Sequence, residues 1–238
     1  MNCKNCNTEV NQNYCPNCGH PIVLRRIDAH YIFQEVRNVL NFEHGILFTI
    51  RELTINPGKN VKEFLTENRN RLVKPVVFLL ITSLIYTVLK NLTHFEDGYV
   101  NYSGEIESAT LTILNWIQGN YGYSNSIMAV FIALWLKLFF RKHDYNIFEI
   151  IILLCFVMGI GMLIYSVFGI AQGFTQIKLL QSGSIVAFIY ITFAIGHFFD
   201  KKKLNSYVKA LFAYLLGMLS FVMIAISIGK MIDLVIKL

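Results

Sequence analysis

The sequence lacks the short motifs that mark two common classes of hydrolytic enzyme. It contains neither the His-Glu-x-x-His run of zinc-dependent proteases nor the Gly-x-Ser-x-Gly turn that presents a serine nucleophile. Charged residues are also scarce, at 15% of the chain against 55% hydrophobic residues. The sequence therefore provides no catalytic residue and favours a protein that is not an enzyme.

The segment from Met1 to Gly19 lacks the apolar stretch of a secretory signal, so we expect these residues to stay in a reducing compartment. It instead holds four of the five cysteines, in two Cys-x-x-Cys pairs eight residues apart: Cys3, Cys6, Cys15 and Cys18. Two tight turns at this spacing point four sulfurs at one tetrahedral centre, which suits zinc best. We predict one structural zinc ion in a small ribbon over residues 1–22. A closed shell of four thiolates leaves no position for a substrate.

Two other uses of these cysteines remain open at this point. Disulfides would stabilise a segment too small to bury a core, but they need an oxidising compartment. A redox-active pair normally lies in a βαβ unit, which the sequence does not predict here. The fifth cysteine, Cys155, lies deep in an apolar run, where a thiol behaves as a small hydrophobic side chain, and we assign it no role.

Hydrophobic runs dominate the chain beyond residue 74, and little charge interrupts them. Spans are predicted near residues 75–93, 125–140, 147–170, 184–199 and 207–229. The third and fifth runs are long enough to cross about 30 Å of hydrocarbon as a helix. Five such runs do not fit the buried helices of a soluble protein. The predicted fold is an all-α membrane protein with about five transmembrane helices, preceded by amphipathic helices and the small four-cysteine zinc ribbon.

Basic residues concentrate in alternate connections between the runs. Arg141 and Lys142 follow the second run, and Lys201, Lys202 and Lys203 follow the fourth. Because cytoplasmic loops collect Lys and Arg, we predict a cytoplasmic amino terminus and an external carboxyl terminus. A thiolate cluster is safest where thiols stay reduced, which gives the same topology. We interpret the net charge of +6 as favouring electrostatic association of the protein with anionic lipids of the bilayer. Nucleic acid is not favoured as a partner, because the basic residues are dispersed.

Residues 23–74 are predicted to form a cytoplasmic neck of amphipathic helices that lie on the inner leaflet, ahead of a membrane domain at 75–238. Apolar residues recur at helical spacing between Ile27 and Leu40. A short helix is predicted for Gly45 to Ile55. Another is predicted to begin at Asn56-Pro57, a cap residue followed by proline, and to end near Glu67.

Arg69, Arg71 and Lys74 stand directly before the first predicted span. We predict that they contact anionic headgroups at the membrane surface. The alternative is a pocket for an anionic lipid head or a phosphorylated ligand, with Arg69 as its main contact.

The stretch TIRELTINPGKNVKEFLTENRNRLVKP has a pattern of Thr, Leu, Pro-Gly, Arg and Pro at Thr49, Leu53, Pro57, Gly58, Arg69 and Pro75. Together with the two Cys-x-x-Cys pairs, it resembles a family of uncharacterised bacterial membrane proteins in which a zinc ribbon precedes a multi-span domain of unknown function. Family members often have Gly-Lys before the arginine and an aromatic residue after it, whereas Glu67, Asn68 and Leu72 stand here. The resemblance implies a bacterial inner-membrane protein and no known activity.

Three ionisable residues lie near the cytoplasmic ends of the predicted spans: Lys137, Glu149 and His197. One interpretation is that they extend to the headgroup level or pair there. The other is that they converge on one polar site, with Glu149 as proton acceptor or cation ligand and His197 as its titrating partner.

Two classes of function follow from these features. The first is a non-catalytic membrane protein whose zinc ribbon docks a cytoplasmic protein partner or helps assemble a membrane complex. The second is a small transporter, channel or intramembrane enzyme with the ribbon as a regulatory accessory. A five-span chain cannot hold two equal inverted halves, so a transporter would need a homo-oligomer to supply the second half. The sequence favours the first class.

Overall fold

The computed structural model describes residues 2–3, 6, 8–9, 11, 14–18, 45–93, 108–175 and 177–236. The chain divides into two compact units, Met1–Asn41 and Phe42–Leu238. The helix predicted between Ile27 and Leu40 lies outside the described residues. The second unit contains the latter part of the predicted neck, and its described residues from 45 onward pack together with the membrane helices.

The second unit is built from helices, which we number in chain order. They are α1 Ile46–Ile55, α2 Pro57–Thr66, α3 Pro75–Thr93, α4 Ala109–Gly119, α5 Tyr121–Phe139, α6 Ile147–Thr175, α7 Leu180–Asp200 and α8 Leu204–Ile236. Five of them, α3 and α5 to α8, are long and apolar enough to cross a membrane. No strand occurs in the part of this unit that the structure describes. The prediction of an all-α membrane protein with five spanning helices is confirmed.

The spanning helices expose large apolar side chains on the outside of the bundle. Leu84 of α3 is 62% exposed, and Leu134 of α5, Ile189 of α7 and Leu219 of α8 are each more than half exposed. A soluble protein rarely shows apolar surface on so many helices, whereas lipid covers such surface without cost. The outer faces of the helices therefore fit a bilayer.

Consecutive spanning helices run antiparallel, so alternate helix ends meet at the same end of the bundle. At one end, Phe140 stacks on Phe199 with ring centroids 3.7 Å apart, and Lys209 Nζ donates to the carbonyl of Phe139 at 3.3 Å. At the opposite end, Thr93 lies beside Gly173. We call the first end the basic end, since lysines and arginines of α2, of the α5–α6 and α7–α8 connections and of the start of α8 lie there. These residues are Lys59, Lys62, Arg141, Lys142, Lys201, Lys202, Lys203 and Lys209.

Helix α6 forms the centre of the bundle and contacts α3, α5 and α7 as well as α1 and α2. Its Phe156 ring lies 5.3 Å from the ring of Phe64 in α2 and 5.8 Å from that of Phe78 in α3. A Cβ at Gly159 would lie 2.7 Å from the Phe78 ring, so glycine is what lets α3 approach α6 this closely. At 29 residues, α6 is about 43 Å long and exceeds the hydrocarbon thickness.

Helices α1 and α2 pack against the basic end of the bundle. Leu53 and Val61 are fully buried, and the Tyr190 hydroxyl of α7 donates to the carbonyl of Leu53 at 3.0 Å. The Asn60 side chain donates to the carbonyls of Glu52 and Asn56, at 2.8 and 3.0 Å, and so closes the junction between the two helices. The predicted start at Pro57 is confirmed, although Asn56 makes no side-chain cap. One face of each neck helix thus contacts protein, where the sequence suggested contact with lipid.

At the opposite end, the carboxylate of Asp233 in α8 binds the first turn of α4. It accepts hydrogen bonds from the Thr110 hydroxyl at 2.8 Å and the Ser108 hydroxyl at 3.1 Å, and from the backbone amide of Ala109. A carboxylate at this place satisfies unpaired amides and complements the helix dipole. Trp116 of α4 is about half exposed, which is typical of an interfacial anchor.

Gly58 is the closest point between the neck and the bundle, because a Cβ there would lie 2.5 Å from backbone atoms of His197 and Phe198. We expect Gly58→Ala to force α2 away from α7 and to lower the free energy of unfolding by about 1–3 kcal/mol. Thermal unfolding in detergent would measure the loss. Gly119→Ala is the matched control, since nothing lies within 4 Å of the Cβ built there. Equal stability of the two variants would contradict the close packing.

Candidate functional site

The first unit brings the four amino-terminal cysteines together. The backbone amide of Cys3 donates to the carbonyl of Thr8 at 2.9 Å, and Asn2 pairs with Glu9 in an antiparallel bridge. These bonds fold the first Cys-x-x-Cys pair into a tight turn. Cys3 and Cys15 are almost fully buried, while Cys18 is exposed. Cys3 and Cys15 are therefore shielded from solvent, and Cys18 lies at the open side of the cluster.

The spacing of the sulfurs fits a metal ion. The Sγ atoms of Cys3 and Cys18 are 3.6 Å apart, those of Cys6 and Cys15 are 3.5 Å apart, and all four lie within 4.8 Å of one another. A tetrahedral zinc with bonds of about 2.3 Å gives sulfur–sulfur edges of about 3.8 Å. No disulfide joins the cysteines that the structure describes. The four cysteines can hold a metal ion, and their donor set and spacing suit zinc.

The thiol of Cys6 is made acidic by its neighbours. Hydrogen bonds from the side chain and backbone of Thr8, with a smaller contribution from Cys18, lower the pKa of Cys6 to about 6. The Thr8 hydroxyl lies 3.3 Å from the Cys6 sulfur and also accepts from the Asn17 amide at 3.3 Å. A thiolate is the form that binds metal, so this network favours the ligating state at neutral pH.

Arg71 lies between two carboxylates of the neck. Its guanidinium donates to Glu52 Oε2 at 2.7 Å and also to Glu63, and it lies over the Phe48 ring at 5.9 Å. The arginine fork therefore joins α1, α2 and the segment before α3. Arg69 is exposed and forms no hydrogen bond or ion pair among the described residues, and the Lys74 carbonyl accepts from the Phe78 amide at the start of α3. The headgroup contact predicted for Arg69, Arg71 and Lys74 stays a prediction.

Lys137, Glu149 and His197 each have a different partner. Lys137 Nζ donates to the carbonyl of Tyr145 at 2.6 Å. Glu149 and Asn146 form a reciprocal capping box at the start of α6, with bonds of 2.7 and 2.9 Å. His197 Nδ1 accepts from the Gly58 amide at 3.2 Å. No described contact joins any two of the three.

The capping role of Glu149 has a signal in the sequence, because Asn-x-x-Glu ahead of an apolar run marks a helix start. The contact of His197 with Gly58 has none, since the two residues are 139 positions apart.

A cavity of about 320 Å³ lies between α6, α7 and α8, with Asn125 of α5 also in its wall. Its polar wall is formed by Asn125, Tyr165, Ser184 and Tyr214, and three methionines line the rest together with apolar residues. None of the lining residues is charged. Ion pathways through membranes are usually marked by ionisable side chains, which this cavity does not have.

A family model described as "Protein of unknown function (DUF3667)" matches residues 43–87. The chain is similar to this family over that stretch. The matched residues cover α1, α2 and most of α3, which are the neck helices and the first span, and they do not include the four cysteines. No curated protein and no solved structure matches the chain. The similarity agrees with the resemblance to an uncharacterised family and assigns no activity.

Arg71 provides a test of how the neck is held. Arg71→Gln leaves Glu52 and Glu63 without their cation, and both carboxylates are about four-fifths buried. We expect the free energy of unfolding to fall by about 1–3 kcal/mol, because partly buried acids then lack a counter-charge. Thermal unfolding in detergent measures the change. Arg69→Gln removes the same charge from an exposed side chain and should have almost no effect; an equal loss in both variants would argue against the network.

Proposed function

We propose that the protein is a non-catalytic protein of the bacterial inner membrane, whose amino-terminal ribbon binds one structural zinc ion and docks a cytoplasmic protein. The observation that carries this proposal is the approach of four cysteine sulfurs to within 4.8 Å of one another. Four thiolates close the coordination shell, so the metal stabilises a small module and does not bind substrate. The zinc identity rests on the donor set.

A cytoplasmic position for the basic end supports this proposal. Two connections, α2 and the segment before α3 all contribute basic residues to the same end of the bundle. In membrane proteins such an excess of Lys and Arg lies on the cytoplasmic side. The ribbon precedes the first span and so shares the compartment of the neck, which leaves the carboxyl terminus outside after five crossings.

The ribbon presents a surface that suits a protein partner. Tyr14, next to the buried Cys15, is 64% exposed, and Asn11, Pro16 and Asn17 are exposed around it. An exposed tyrosine on a rigid turn is typical of a contact residue at protein interfaces, since it adds large area at little entropic cost. A metal-stabilised turn provides that rigidity. We propose Tyr14 as the principal contact of the ribbon.

The alternative is a small transporter, channel or intramembrane enzyme. It would be favoured by ionisable groups gathered in one cavity within the bundle. Lys137, Glu149 and His197 instead have separate partners, and the cavity between α6, α7 and α8 has an uncharged wall. These observations favour the docking function.

Metal analysis tests the ribbon. The full chain purified in detergent should contain one zinc ion, and Cys15→Ser should lose it, because three thiolates bind zinc much more weakly than four. Elemental analysis with thiol titration would measure both. Cys155→Ser is the matched control, since Cys155 lies buried in α6, and it should keep the metal. Metal-free protein with oxidised cysteines would contradict both the zinc site and the cytoplasmic assignment.

Cross-linking in cells tests the docking role. A photo-reactive residue in place of Tyr14 should form an adduct with another protein, and the adduct should disappear when Cys15→Ser is added. A photo-reactive residue at Tyr123 is the control, because that tyrosine is equally exposed, at 68%, but lies at the end of the bundle away from the basic end. The proposal fails if the adduct survives loss of the metal, or if its mass is that of two copies of this chain.

A further inference from the structure

A cavity of about 480 Å³ opens at the basic end between α2 and the end of α7. Its wall includes Gly58, Lys59 and Lys62 from α2 and His197, Lys201 and Lys202 from the end of α7 and the turn after it. Three acidic residues complete its charged groups: Glu63, Glu67 and Asp200. The cavity lies entirely within the second unit of the chain.

Two of the three acids are already bound by cations. Glu63 pairs with Arg71 and with Lys59, the latter at 3.4 Å. Asp200 pairs with Lys203 at 3.0 Å and accepts from the backbone amide of Lys202 at 3.0 Å. Glu67 is exposed at the end of α2. The carboxylates of the cavity therefore leave part of its positive charge uncompensated.

Lys62 is a cation of the cavity that forms no ion pair among the described residues. It is half-buried, and its ammonium lies 5.7 Å from the centroid of the Phe198 ring, with no carboxylate at ion-pair distance among the described residues. Burial and the nearby charge of Lys201 lower the pKa of Lys62, although Asp200 acts in the opposite direction. An anion in the cavity would stabilise the charged form of Lys62.

His197 contributes an imidazole whose neutral tautomer is set by a backbone contact. Its Nδ1 accepts from the backbone amide of Gly58 at 3.2 Å. An imidazole that accepts at Nδ1 carries its proton on Nε2 when neutral. The Gly58 contact thus fixes the tautomer, and His197 lines the cavity together with Lys62 and Lys201.

We propose that this cavity binds a phosphate group, held by Lys62, Lys201 and His197. Ammonium groups neutralise the charge of a phosphate, and an imidazole N–H donates to one of its oxygens. The cavity lies at the basic end of α7, a helix long and apolar enough to span a membrane, so the phosphate belongs either to an anionic lipid headgroup or to a soluble ion. This inference does not depend on the metal-binding ribbon.

The test is ligand-dependent thermal unfolding of the full chain in neutral detergent at constant ionic strength. The probes are dioctanoyl phosphatidylglycerol, inorganic phosphate and, as the phosphate-free control with the same chains, dioctanoyl glycerol. A ligand that binds only the folded state raises the midpoint temperature of unfolding, and the rise grows with the logarithm of the ligand concentration. We expect phosphatidylglycerol to raise it and dioctanoyl glycerol not to. A rise with inorganic phosphate as well would identify a soluble source for the same site.

Variants identify the site. Lys62→Gln should weaken binding about tenfold, the equivalent of one charge-assisted hydrogen bond. Lys201→Gln, at an exposed position where folding is not at risk, should have a similar effect. Lys142→Gln removes the same charge from the basic end outside this cavity and should leave binding unchanged. The proposal is overturned if neither phosphate-bearing probe stabilises the protein, or if Lys142→Gln weakens binding as much as the two cavity variants do.

Discussion

A backbone amide or carbonyl without a hydrogen-bond partner costs several kcal/mol inside a bilayer, and the fold of this protein follows from that constraint. Each of the five long helices satisfies its own backbone through the hydrocarbon, and side chains outside the bundle only have to be apolar. Association of the helices must then come from close van der Waals packing between their surfaces. Gly159 leaves room for the Phe78 ring of α3, and Gly58 lets α2 approach the backbone of α7. Glycine therefore marks the places where these helices pack most closely.

The same constraint explains why the neck is part of the bundle. The five-span arrangement leaves the basic ends of α6 and α7 exposed unless protein covers them. Helices α1 and α2 cover them with Leu53, Val61 and Phe64, and polar contacts from Tyr190 and His197 fix the position. Arg71 then ties the two helices to the start of α3. The family match over residues 43–87 spans this connection between neck and first span, which indicates that the two form one structural element.

Sequence patterns predicted what depends on local chemistry. Hydropathy gives the five spans because each must be apolar over its own length, Pro57 marks the start of α2, and the cysteine spacing brings four sulfurs together. The patterns did not predict pairings between distant residues. The contacts of His197 with Gly58 and of Asp233 with the start of α4 join residues more than 120 positions apart, and no local rule specifies such a partner. The ion pairs of Arg71 with Glu52 and Glu63 are a further case, since no sequence pattern pairs these three residues.

Two cavities of the bundle described above differ in a way that bears on function. The one between α6, α7 and α8 is lined by uncharged residues, and the one between α2 and α7 is lined by seven charged residues and a histidine. Charge in this protein is therefore placed where headgroups and water can solvate it, and the described interior of the bundle holds hydroxyl, amide and thioether groups. A protein built to move ions would need the reverse distribution, since an ion crossing hydrocarbon must be compensated along its path. The charged cavity of this chain opens at the basic end of the bundle, which is where we propose that a phosphate group binds.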